Sequence, residues 1–122
     1  MEYLTDQQLG VLLSNLIQGT RSGKINWTTQ STTDFSFQTY GKEYGYVVWS
    51  LDQDDEPPFV FNINEKVTGW SVSDLTMGKR LQTLFSSNSP DFAIPLEELY
   101  FLAKGNALDI EVVSIKILDD FS

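Results

Sequence analysis

Apolar and aromatic residues recur at every second position from Ile25 to Val72, in runs joined by connections too short to hold a helix. "INWTTQ" (25–30) opens the series. In "DFSFQTY" (34–40) Phe35 and Phe37 alternate with Ser36 and Gln38, and "GKEYG" (41–45) turns into "YVVWSL" (46–51), where Val47, Trp49 and Leu51 share a face. "DQDDEPP" (52–58) makes a loop, Phe59, Phe61 and Ile63 line one side of "FVFNI", and "NEK" (64–66) turns into "VTGWSV" (67–72). A period of two marks pleated strands with one buried face. Joining parallel strands takes a crossover of a dozen or more residues. None separates these runs, so the pattern predicts an antiparallel meander of about five strands.

Helical spacing flanks the meander. Leu9, Leu12, Leu13, Leu16 and Ile17 follow the i, i+3, i+4, i+7, i+8 stripe of a core-facing helix. Thr5 and Gln8 have the spacing of a capping box, Leu4 and Leu9 that of a hydrophobic staple, and Arg21 favours the helix end near Ser22. After Val72, the spacing of Met77, Leu81, Leu84 and Phe85 reads as a second helix capped by Ser73 or Asp74. "SSNSPDFAI" (86–94) is irregular. Pro95 suits the first position of a further helix with Glu97 and Glu98 in its first turn and Leu96, Leu99, Tyr100 and Ala103 as its stripe. Gly105-Asn106 weakens or ends that helix. Residues 109–121 fit a strand through Val113, Ile115 and Ile117, and equally a helix through Ile110, Val113, Ile117 and Phe121. The expected architecture is one α+β domain spanning 1–122: an N-terminal helix, about five antiparallel strands, and two to three C-terminal helices packed on one sheet face.

Thr20, Gly23, Lys24, Ile25 and Trp27, followed by Leu96, Leu99, Tyr100, Leu102, Ala103, Ala107, Leu108 and Ile110, form a wider pattern. It resembles a group of small uncharacterised bacterial proteins that read T-x-x-G-K-[IL]-x-W near the start and L-x-x-L-Y-x-L-A-x-x-x-A-L-x-[IV] near the end. The resemblance covers about a third of the chain. It implies an α+β domain with a helical C-terminus, which assigns 109–121 to helix, and it brings no activity or catalytic residue with it. Gly105 departs from the pattern, where a good helix former usually stands.

The 122 residues carry 8 Lys+Arg against 17 Asp+Glu, a formal net charge of −9. Lysine and arginine contacts to phosphate dominate nucleic-acid affinity, so DNA and RNA are poor partners for such a chain, as are anionic membrane surfaces. A protein partner with a basic surface fits better. Histidine and cysteine are both absent. Thiolate and imidazole zinc sites and histidine-activated nucleophiles are therefore excluded. "MEYLTDQQLG" is acidic, with no long apolar run, so a cytoplasmic protein is expected.

The most motif-like string, "GTRSGKIN" (19–26), fails as a phosphate loop. Only three residues separate Gly19 from Gly23, Ile25 occupies the place of the magnesium-binding hydroxyl, and a helix leads in where a strand should. Gly23 reads instead as the left-handed residue that stops the helix. The loop of Asp52, Asp54, Asp55 and Glu56 offers oxygen ligands for a hard cation, but an EF-hand register puts Pro57 and Ile63 where Gly and Glu are required. Paired carboxylates for glycosidase-type chemistry carry no information in a chain with so many acids. The strand aromatics Trp27, Phe35, Phe37, Trp49, Phe59, Phe61 and Trp70 read as core. Tyr40, Tyr44 and Tyr46 fall on the opposite face, where tyrosine favours interfaces.

These residues predict a non-enzymatic, acidic protein-interaction module without cofactor or metal: a regulator, an immunity or inhibitor protein, or an effector-associated domain. Its contact surface would combine Tyr40, Tyr44 and Tyr46 with Asp52, Asp54, Asp55 and Glu56. Two other classes compete. A small-ligand binder would use a pocket between sheet and helices lined by Trp27, Trp49 or Trp70. An acidic mimic of DNA would need regularly spaced carboxylates on one face, whereas these cluster at 52–56 and near the termini.

Overall fold

Thr5 and Gln8 form the expected capping box in the computed structural model, which describes residues 3–29, 35–67 and 76–108. Helix α1 (Asp6–Arg21) buries Leu9, Leu13, Leu16, Ile17 and Thr20. Its end closes through two backbone bonds, Lys24 N–H to the Gly19 carbonyl (2.9 Å) and Gly23 N–H to the Thr20 carbonyl (3.2 Å). This is the Schellman pattern, and it places Gly23 at φ +80. "GTRSGKIN" is thus a helix terminator that turns the chain towards the sheet.

The sheet runs β1 (Thr28–Thr29), β2 (Ser36–Tyr40), β3 (Tyr44–Ser50), β4 (Phe59–Val67) and β5 (Thr76–Phe85), in that spatial order, each neighbour antiparallel. A 3-10 turn at Pro90–Phe92 leads into α2 (Ala93–Leu108). Both helices pack on one face. Directly opposed residues share a face of a sheet, so Phe37, Val48, Phe61 and Leu84 form one buried cross-strand row on that side. They join Leu13, Leu16, Leu96, Leu99 and Tyr100 in the main core. The other face carries the row Ser36, Trp49, Val60 and Phe85.

Two elements depart from expectation. The segment with helical spacing, Met77 to Phe85, is strand β5, and "NEK" is no turn because β4 runs through it to Val67. Shifts in pairing between Ile63 and Asn64, and again between Asn64 and Lys66, account for Leu81 and Leu84 within that spacing, while Met77 and Phe85 lie on the other face. Ile63 opposes Gln82 and Asn64 opposes Arg80, so Leu81 is an extra residue on β5. Leu84 is core and Leu81 packs against it, three positions away. Residues three apart face opposite sides of a regular strand; a bulge returns them to the same side. The bulge therefore writes a helical period into a strand.

One α-helix, rather than two or three, follows the sheet among the described residues. It continues through Gly105 and Asn106, and starts at Ala93, two residues ahead of Pro95. Proline is tolerated there because the first-turn N–H groups have no partner within the helix. The expected strand "VTGWSV" after Val67, the caps Ser73 and Asp74, Trp70 and residues 109–121 lie outside the described residues.

Candidate functional site: a clasped acidic loop and a tyrosine-lined groove

The acidic loop between β3 and β4 folds around its own polar groups. Asp54 Oδ1 accepts from the Glu56 N–H (3.0 Å), and the buried Ser50 hydroxyl lies 3.2 Å from both Asp54 Oδ1 and the Glu56 carbonyl. Gln53 and Asp55 take positive φ, 56 and 61. That turn aims Asp55 inward, where Oδ1 accepts from the Tyr100 hydroxyl (2.5 Å) and both oxygens accept from Lys104 Nζ (2.7 and 2.6 Å). Lys104 Nζ also stands 5.3 Å from the centroid of the Phe35 ring. Burial opposes ionisation of Asp55, but the bonds from Lys104 and Tyr100 outweigh it, and its pKa lies below the ordinary value. Burial, reinforced by the Asp55 carboxylate, pushes the Tyr100 phenol well above its usual range. Asp55 is therefore a clasp between loop and helix. Asp52, Asp54 and Glu56 remain exposed.

The three tyrosines do not share a surface. Tyr40 opposes Gly45, whereas Tyr46 opposes Thr39 and Ile63. Tyr46, and Tyr44 two residues before it, therefore lie on the helix-covered face, and Tyr40 lies on the other. The parity changes across the 41–43 turn, which alternation within each strand does not reveal. Tyr44 stands at the opposite end of β3 from the acidic loop, ~20 Å away at 3.3 Å per residue. The predicted combined surface of tyrosines and acids is thus three separate places: Tyr44 and Tyr46 on the helix-covered face, Tyr40 on the other, and the acidic loop at the far end of β3.

Tyr44 and Tyr46 line a groove of ≈ 370 Å³ with Tyr3, Leu4, Leu12, Ile63, Leu81 and Gln82. Tyr46 stacks on Phe61, ring centroids 6.2 Å apart and planes 9° from parallel. Tyr44 is 42% exposed and Tyr3 55%, so their rings form the rim. Gln82 is buried and already occupied: Oε1 accepts from the Tyr3 and Leu4 N–H groups (3.1 and 2.8 Å), and Nε2 donates to the Leu4 carbonyl (3.2 Å). It pins residues 3–4 across the sheet as one wall of the groove. The remaining polar side-chain atoms of the lining are tyrosine hydroxyls.

Gln82, Tyr100 and Lys104 escaped the sequence reading. Gln82 lay in a segment with helical spacing, and Tyr100 read as apolar stripe. Lys104 carried one usable signal, standing four residues after Tyr100 on the same helix face. Trp27 is core, its Nε1–H donating to Thr20 Oγ1 (2.9 Å). Trp49 is half-buried on the face away from the helices, so neither described tryptophan lines the groove. Among the described residues no group of three or more Asp or Glu side chains could hold a metal ion, and no helix is long and apolar enough to cross a membrane. No family model, no curated protein and no solved structure matches this chain.

Proposed function

We propose that this chain is a non-enzymatic interaction module that receives an apolar side chain of a protein partner in the groove beneath Tyr3 and Tyr44. The occupied state of Gln82 carries the reading. Sites for polar small molecules place a few free hydrogen-bonding groups among apolar walls. Here the one amide in the lining is consumed by the backbone of residues 3–4. What remains is aromatic and aliphatic surface with a tyrosine rim, the composition of an interface anchor pocket. The net charge of −9 favours a partner whose anchor is surrounded by basic residues. The exposed acids Asp52, Asp54 and Glu56 contribute to that field from the other end of β3, while Asp55 serves the fold.

Immobilised protein and its Tyr3→Ala/Tyr44→Ala variant, offered a bacterial lysate at low and moderate salt, test the reading. One stoichiometric protein retained by the first and lost from the second supports it. Equal retention overturns it. A compact apolar metabolite that raises the melting temperature, with no protein retained, transfers the groove to a small ligand.

A further inference from the structure

A second cleft, of ≈ 350 Å³, lies where β1 parts from β2, lined by Lys24, Ile25, Asn26, Thr28, Gln38, Thr39 and Tyr40. Among the described residues the two strands pair only at Thr28–Gln38 and Thr29–Phe37, so residues 24–26 do not continue the ladder with 39–40 and leave the opening. Its walls are held from behind. Lys24 and Ile25 N–H groups both donate to the Gly19 carbonyl (2.9 and 3.0 Å), and Ile25 sits so close that a Cβ on Gly19 would lie 2.4 Å from its Cδ1. Thr39 Oγ1 donates to the Asn26 carbonyl (2.8 Å), and the Trp27 N–H donates to Asn106 Oδ1. The cleft is therefore present before any ligand arrives, which lowers the ordering cost of binding.

Six of the seven lining side chains carry a hydrogen-bond donor, that of Thr39 already given to the Asn26 carbonyl, and none is a carboxylate, in a chain where acids outnumber bases two to one. Lys24 makes no ion pair among the described residues, in contrast to Arg21 with Glu98 and Lys104 with Asp55. We propose that this cleft binds a small soluble oxyanion, a carboxylate or phosphate group, with Lys24 supplying the charge and the Tyr40 hydroxyl and the amides of Asn26 and Gln38 supplying donors. A charge-assisted bond from a lysine within a ring of neutral donors selects an anion over a neutral ligand. The anion contact comes from the Lys24 side chain and not from backbone amides, so the cleft has no need of the helix N-terminus that a phosphate loop requires.

The test is a titration of the isotope-labelled protein with inorganic phosphate, and separately with acetate, at fixed ionic strength. Saturable shifts confined to the amides of residues 24–28 and 38–40 are expected. Lys24→Gln should weaken binding about tenfold or more, the loss of one charge-assisted hydrogen bond. Lys24 is exposed and caps the helix through its backbone, so this variant keeps the fold. Lys79→Gln, which removes the same charge from an exposed position on β5, should leave the isotherm unchanged. Phosphate binding alone assigns a phosphorylated ligand, acetate alone a carboxylate, and both an unselective oxyanion site. No saturable shift in the parent protein, or equal losses from the two lysine variants, overturns the proposal. Neither result bears on the tyrosine-lined groove, which shares no residue with this cleft.

Discussion

Gly19 and Gly105 are the same residue in the same kind of element with opposite consequences. A Cβ at Gly19 would meet Ile25 Cδ1 and Cγ1 at 2.4 and 2.8 Å, on a residue whose backbone N–H is bonded to the Gly19 carbonyl and whose side chain packs against the core. A Cβ at Gly105 meets nothing within 4 Å. Gly19→Ala should therefore cost about 1–3 kcal/mol through overpacking. Gly105→Ala should gain about 0.5–1 kcal/mol by restricting the unfolded chain within a helix. Urea denaturation of the two variants checks both signs together. Asp55 gives a second residue-scale prediction, in pH. Its folded pKa lies below the unfolded value, so its contribution is full above that value, ~3.9 for aspartate, and drains as pH falls through the folded one. Asp55→Asn keeps a side chain that tolerates φ +61 and removes the charge. The variant should be less stable at neutral pH by about 1 kcal/mol or more, and the two stability curves should converge in acid. Parallel curves down to pH 2 would show that the clasp contributes no charge-dependent stability.

At the scale of elements, Gln82 ties the start of the described chain to strand β5. It binds the backbone of residues 3 and 4, 79 and 78 positions away. Gln82→Ala leaves those groups to water and should cost about 1–3 kcal/mol. Its specific signature is local: hydrogen exchange at the Leu4 amide should accelerate far more than exchange in β3 or β4. If protection is lost evenly, the segment is held by Leu4 packing instead. The same strand shows what was legible in the sequence. Elements with one undisturbed period were readable: α1 from its stripe and capping box, β2, β3 and the first half of β4 as far as Ile63 from their alternation, α2 from Leu96, Leu99, Tyr100 and Ala103. β5 was not, because its bulge displaces Leu81 and imitates a helix. The relation between strands was no more readable. Which face Tyr40 shares with Tyr44 depends on the residues spent in a turn, and alternation within a strand says nothing of that. Tyr40, Tyr46 and the acids stand on strand and loop as the pattern indicates, whereas Tyr44, read in the 41–45 turn, opens β3; the separation of the tyrosines from the acids and the inward turn of Asp55 are tertiary facts.

Across the whole molecule the two ends of β3 have different physical parts to play. The groove end offers shape and apolar surface, which act once a partner is in contact and so govern dissociation. The acidic loop end offers charge at the surface, which acts before contact and governs encounter. The clasp formed by Asp55, Tyr100 and Lys104 keeps these parts distinct, because it fixes the loop without consuming Asp52 or Glu56. Kinetics with the partner retained by the groove should then separate cleanly. Tyr44→Ala should raise the dissociation rate about tenfold, with the association rate nearly unchanged. Asp52→Asn/Glu56→Gln should slow association several-fold at low salt, and the difference should fade near ~0.15 M, where the screening length falls to about 8 Å. The sites lie ~20 Å apart along β3, so the combined variant should show the product of the separate effects to within about 0.5 kcal/mol. Surface plasmon resonance at two salt concentrations measures all three. A strong coupling between the changes would mean that one partner surface spans both ends, and that the acids act as direct contacts and not through the field.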